Sequence, residues 1–117
     1  MLACMDSRLP VFQILGLKPG EAHVIRNAGG LATEDALRSL AVSQQIGTHD
    51  VAVIHHTHCG VRTMSDEELE QLGATRDVEE NVRITLRRIR ETLPRTGTLR
   101  GFVYEVRSGH LREIAAG

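Results

Sequence analysis

The sequence has no tryptophan, and phenylalanine and tyrosine together make up 3% of its 117 positions. A core without large rings must be built from Val, Ile, Leu and Ala, and few platforms remain on which nucleic-acid bases could stack. An excess of one charge is missing too. Fourteen Lys and Arg face fifteen Asp and Glu, for a formal net charge of −1, so there is no electrostatic case for nucleic acid or an anionic membrane. No stretch approaches the roughly 20 apolar residues of a membrane span. The N-terminus also lacks the basic segment and apolar run of a secretory signal, so a cytoplasmic location is expected. Cysteine occurs only twice, at Cys4 and Cys59. One disulfide is disfavoured in a reducing cytosol, and the spacing suits no small secreted framework. The length fits one domain, residues 1–117, with one core.

What is present alternates strand and helix. Residues 1–5 (MLACM) read as a short apolar strand, followed by a helical turn over 10–16 that ends at Gly16. After the Lys18-Pro19-Gly20 turn, Ala22 to Arg26 reads as a second strand, and Asn27 to Gly30 (NAGG) as a loop. Thr33 can cap a helix running to about Ile46, with Leu37, Leu40 and Ala41 on one face. Val51 to Ile54 (VAVI) is a continuous apolar run, as a strand buried on both faces of a parallel sheet requires. Ser65 and Glu68 suit a capping box for a short helix ending at Gly73. A longer helix over about 77–93 carries the stripe Val78, Val82, Leu86, Ile89, Leu93 and is closed by Pro94. Leu99–Val106 and Leu111–Ile114 read as strands joined at Ser108-Gly109. The expected fold is α/β: a mostly parallel central sheet of about four strands, an antiparallel C-terminal edge strand, and flanking helices.

Ligands of open α/β sheets gather beyond the carboxyl ends of the strands. Cys4 lies at the end of the first strand, and His56 and Cys59 lie just past the VAVI run, in the stretch HHTHCG. If those strands are neighbours, two thiolates and an imidazole converge at one rim. That is a zinc donor set with a fourth tetrahedral position open, the pattern of catalytic rather than structural zinc. The bland alternative is two inert core cysteines, since a buried Cys commonly behaves as a small hydrophobe. His55 and His56 point to opposite sides of a strand. His56 makes the tighter chelating loop with Cys59, which leaves His55 as a packed histidine or one that supports the ligands from behind. His58 lies inside the loop and stays open as a fourth ligand that would close the site.

Two thiolates neutralise Zn²⁺, so water on it would lose a proton less readily than at an all-histidine site. Asp6 and Arg8 can compensate. The guanidinium can clamp one carboxylate oxygen while the other accepts a hydrogen bond from a hydroxide held on the metal. The alternative for Asp-Ser-Arg is an exposed turn with a weak ion pair.

These residues resemble the β-class carbonic anhydrases, most closely their short, archaeal-like branch. Cys4-Met5-Asp6-Ser7-Arg8 matches that family's Cys-x-Asp-x-Arg motif, and His56-Thr57-His58-Cys59-Gly60 its His-x-x-Cys-Gly motif. Arg26-Asn27-Ala28-Gly29, Gly101-Phe102-Val103-Tyr104 and Ser108-Gly109 resemble further family segments. The resemblance implies reversible hydration of CO₂ to bicarbonate and a proton, with one zinc per chain on Cys4, His56 and Cys59 and an Asp6–Arg8 catalytic dyad. It also implies a CO₂ pocket walled by NAGG and a homodimer or higher assembly. Relative to the family the chain is short at its N-terminus, starting three residues before Cys4, and close relatives often carry aspartate where His58 stands. Two other readings remain: a catalytically silent zinc-binding or assembly domain, and a COS or CS₂ hydrolase on the same scaffold.

Overall fold

Five strands share one sheet in the computed structural model, which describes residues 1–115. They are β1 (Leu2–Cys4), β2 (Ile25–Asn27), β3 (Val51–His56), β4 (Leu99–Glu105) and β5 (His110–Ile114). Their order is β2-β1-β3-β4-β5, with the first four parallel and β5 antiparallel at the edge. The chain leaves β1 for β2 on one side and then crosses to β3 on the other. The order therefore reverses at the β1/β3 pair, and a crevice opens beyond its carboxyl ends.

The helices are α1 (Val11–Ile14), α2 (Glu34–Gln45), α3 (Asp66–Leu72) and α4 (Val78–Thr92). Their starts follow from side-chain caps for otherwise orphaned amides. The Thr33 hydroxyl accepts from the Ala36 amide, and Asp77 accepts from Glu79 and Glu80. Ser65 and Glu68 form the reciprocal capping box, and Gly73 closes α3 in the left-handed conformation. Val82, Leu86, Ile89 and Leu93 bury one stripe of α4 in a core with Leu2, Val53 and Val103. Gly101 lets α4 lie directly on β4, since a Cβ there would stand 2.9 Å from Leu86 Cδ1. A second cluster, containing Ala3, Cys4, Leu9, Ile54 and Phe102, fills in beneath α1. No helix of the described residues is long and apolar enough to cross a membrane.

Some local expectations are corrected. β2 begins at Ile25, not Ala22, because its pairing with β1 starts at Leu2↔Ile25. β3 runs on through both histidines, because β4 supplies partners as far as His55↔Val103 and His56↔Tyr104. Ala41 is exposed. The buried face of α2 is Ala36, Leu37, Leu40, Ser43 and Gln44, and Ala41 sits a full helical step of about 100° beyond Leu40. Residues Ala28–Gly30 form a 3₁₀ turn rather than an irregular loop.

Candidate metal centre

Three side chains meet at the β1/β3 crevice. Cys4 ends β1, His56 ends β3, and Cys59 follows in the loop. One ligand atom from each lies within 4.8 Å of the other two. The sulfurs of Cys4 and Cys59 are 3.9 Å apart. Two Zn–S bonds of about 2.3 Å at a tetrahedral angle would separate them by about 3.8 Å, so the pair is already spaced for a zinc ion and is not a disulfide.

His56 supplies the sharper test. Its Nδ1–H donates to the Thr57 carbonyl at 2.7 Å, which fixes the tautomer and leaves Nε2 with a lone pair. Nε2 is buried without a hydrogen-bond partner, the only such side-chain nitrogen or oxygen found among the described residues. An orphaned buried acceptor costs on the order of 1–3 kcal/mol. A metal beside the two sulfurs removes that penalty, so the donor set fits zinc.

The contact between the two sulfurs couples their titration. The Cys59 thiol donates to Cys4, which pulls Cys4 far below the ordinary thiol range, and the same contact holds Cys59 above it. His56 is pushed up. Burial opposes its charge, but Cys4, the Thr57 carbonyl and Asp6 outweigh that. His55 behaves differently: burial lowers its pKa to about 4, and its Nε2–H donates to the Gly30 carbonyl at 2.8 Å. It is a neutral packing histidine that ties β3 to the NAGG turn.

Asp6 and Arg8 form a real pair. Arg8 Nε and Nη2 reach both carboxylate oxygens at 2.6–3.2 Å, and the Arg8 amide donates to Oδ1 at 2.9 Å. These bonds hold the Asp6 carboxyl well below the usual carboxylate range. Oδ2 lies 3.8 Å from His56 Nε2, facing the place a metal would take. His58 does not join the cluster: it is exposed, with its backbone in the left-handed region at φ 54. Its carbonyl, not its ring, is used, accepting from Arg8 Nη2 at 3.1 Å.

Other residues support the site in ways the sequence alone does not assign. Arg26 reaches across from β2 and donates to the carbonyls of Cys4 (2.9 Å) and Asp6 (2.6 Å), bracing the segment that bears both. Asn27 closes the NAGG turn by bonding both ways with the Leu31 backbone. A narrow cleft opens at His56 and Cys59, walled by Gly29, Leu31, Val61 and Asn81 and edged by Arg62. Little free space remains inside it. Its narrowness suits a very small molecule.

Comparison with known proteins agrees with this geometry. A family model described as "Carbonic anhydrase" matches residues 1–108. "Beta-carbonic anhydrase 1" of Mycobacterium tuberculosis is 42% identical over 130 residues, covering 97% of this chain and 80% of the relative. A "Carbon disulfide hydrolase" of Acidithiobacillus thiooxidans is 33% identical over 146 residues, covering 94% and 73%. The crystal structure of carbonic anhydrase from Streptococcus mutans superposes with a TM-score of 0.86 at 38% identity, covering 97% of this chain and 79% of that one.

Proposed function

The chain belongs to the β-carbonic anhydrase family, and from that membership we propose that it catalyses the reversible hydration of carbon dioxide to bicarbonate and a proton. In this reading Cys4, His56 and Cys59 hold one zinc ion per chain. Zinc bound by such a set supplies a Lewis acid that makes water acidic enough to act as a nucleophile near neutral pH. The residues of the chain do the rest. Asp6, kept ionised by Arg8, can only accept, so its Oδ2 orients the attacking water by accepting a hydrogen bond from it. Leu31, Val61 and Gly29 hold the uncharged gas against that oxygen and limit competing solvent. A carbon–oxygen bond forms, one C=O electron pair moves onto oxygen, and the proton leaves past Asp6. In the same reading the enzyme is cytoplasmic and a homodimer or larger. The exposed apolar Met5, Val42 and Ile46 are surface that assembly would cover, and light scattering giving more than one 12.9 kDa chain would support this.

The observation that carries the reading is the buried, unpartnered His56 Nε2 beside two sulfurs at zinc spacing. Stopped-flow CO₂ hydration on protein of measured zinc content tests it, with CS₂ consumption followed in parallel. Turnover of CO₂ proportional to zinc is expected, and Asp6→Ala should keep the zinc but lose most of that turnover. A zinc-replete protein that consumes CS₂ but leaves CO₂ untouched would instead place it with the hydrolases. One inactive on both would be a silent zinc domain.

A further inference from the structure

Charge around the cleft does not cancel. Under the proposed zinc ligation, the two thiolates offset the metal's two positive charges. Arg8 is matched by Asp6, and His55 is held neutral by burial. Arg62 remains. It lines the cleft beside His56 and Cys59, and no ion pair among the described residues includes it. Two carboxylates on the nearby helices have their own cations, Asp66 with Arg76 and Glu79 with Arg83 and Arg112, and Glu68 is turned to the Ser65 amide. The backbone keeps Arg62 close, because its amide donates to the Cys59 carbonyl at 3.1 Å.

We propose that Arg62 is the anion-attracting residue at the cleft mouth, setting the affinity of the site for small monovalent anions, of which bicarbonate is one. CO₂, COS and CS₂ carry no charge and gain nothing from a guanidinium, whereas bicarbonate does. Arg62 therefore acts on the charged side of the reaction. The bicarbonate assignment rests on the carbonic anhydrase reading; the anion site itself does not. The equilibrium constant fixes the ratio of kcat/KM in the two directions, so loss of Arg62 cannot change that ratio. It changes how tightly the anion is held.

The test compares wild type, Arg62→Gln and Arg62→Lys, all zinc-loaded, by calorimetric titration with thiocyanate and by the KM for bicarbonate in dehydration. Arg62 is exposed, so both variants should keep the wild-type melting temperature. Arg62→Gln should weaken thiocyanate binding and raise the bicarbonate KM about two- to five-fold at low salt, the scale of an exposed charge pair. The difference should collapse near 1 M salt, where screening acts within about 3 Å. Arg62→Lys should restore most of the affinity. Equal thiocyanate affinity in wild type and Arg62→Gln, or a loss that persists undiminished at high salt, would overturn the proposal. Calorimetry reads binding without turnover, so an enzyme inactive on CO₂ would defeat the functional reading and leave this test intact.

Discussion

Gly16 and Gly30 share the same backbone angle, φ +66, in different surroundings, and substituting each by alanine separates two costs. A Cβ on Gly16 meets nothing within 4 Å. Gly16→Ala therefore bears only the left-handed penalty of about 1–2 kcal/mol, partly offset by about 0.4–1 kcal/mol from a stiffer unfolded chain. The net loss is about 1 kcal/mol. A Cβ on Gly30 would stand 3.0 Å from His55 Cδ2 and 3.1 Å from both the Ala3 carbonyl carbon and the Cys4 nitrogen. Two of those neighbours are the backbone of a strand held on both sides, so they cannot swing away. Overpacking of this kind adds about 1–3 kcal/mol, bringing Gly30→Ala to about 2–4 kcal/mol.

For a domain of this size each kcal/mol moves the melting temperature by about 4 °C. Calorimetry should then give a fall of about 4 °C for Gly16→Ala and about 8–16 °C for Gly30→Ala. The second substitution presses on the Cys4 amide, so it should also speed zinc loss to a chelator, while Gly16→Ala should not. If the two variants lose equal stability and equal zinc, the close packing of NAGG against the β1 end is not what holds Cys4 in place.

Cys59→Ser should lose stoichiometric zinc, measured by elemental analysis, and with it stability, because metal binding and folding are linked; full retention would contradict the ligand assignment. His58→Gly should keep zinc and gain up to about 1 kcal/mol in urea unfolding, since it relieves a non-glycine residue at φ 54, and metal loss would mean the ring matters after all. Acid should destabilise the fold through His55. Its folded pKa of about 4 lies below the unfolded value near 6.5, so its neutral form is fully stabilising above pH 6.5 and that contribution drains away as pH falls toward 4. The total is about 3 kcal/mol. Stability that stays flat from pH 7 to 4.5, at constant zinc content, would refute it.

The meeting of Cys4, His56 and Cys59 was legible because Cys4 and His56 end segments whose type is set locally and Cys59 follows closely in sequence. VAVI is an apolar run that marks a buried strand, and the cysteine and histidine beyond it inherit their place from the strand's end. The α3 capping box was legible for the same reason, being complete within four residues. The late start of β2 was hidden because it depends on register with β1, more than twenty residues away. Arg26 was hidden as a brace for the same reason: its bonds to Cys4 and Asp6 exist only once β2 lies beside β1. The exposure of Ala41 is a question of helical phase, which a short apolar side chain marks weakly.

Arg8 joins parts of the site that the sequence shows as separate motifs. Its guanidinium bonds Asp6 in the segment after β1 and also the His58 carbonyl in the loop after β3. Cys59 is the one candidate ligand not anchored on a strand, and it follows His58 directly. The residue that holds the Asp6 carboxylate ionised therefore also pins the loop delivering the third candidate ligand. The strained His58 backbone fits this economy, because the left-handed turn is where the chain reverses to bring Cys59 back toward Cys4. Under the proposed reading, zinc affinity and Asp6 orientation then rise and fall together through one side chain. Substituting Asp6 removes only the acceptor, whereas substituting Arg8 loosens both the acceptor and the loop.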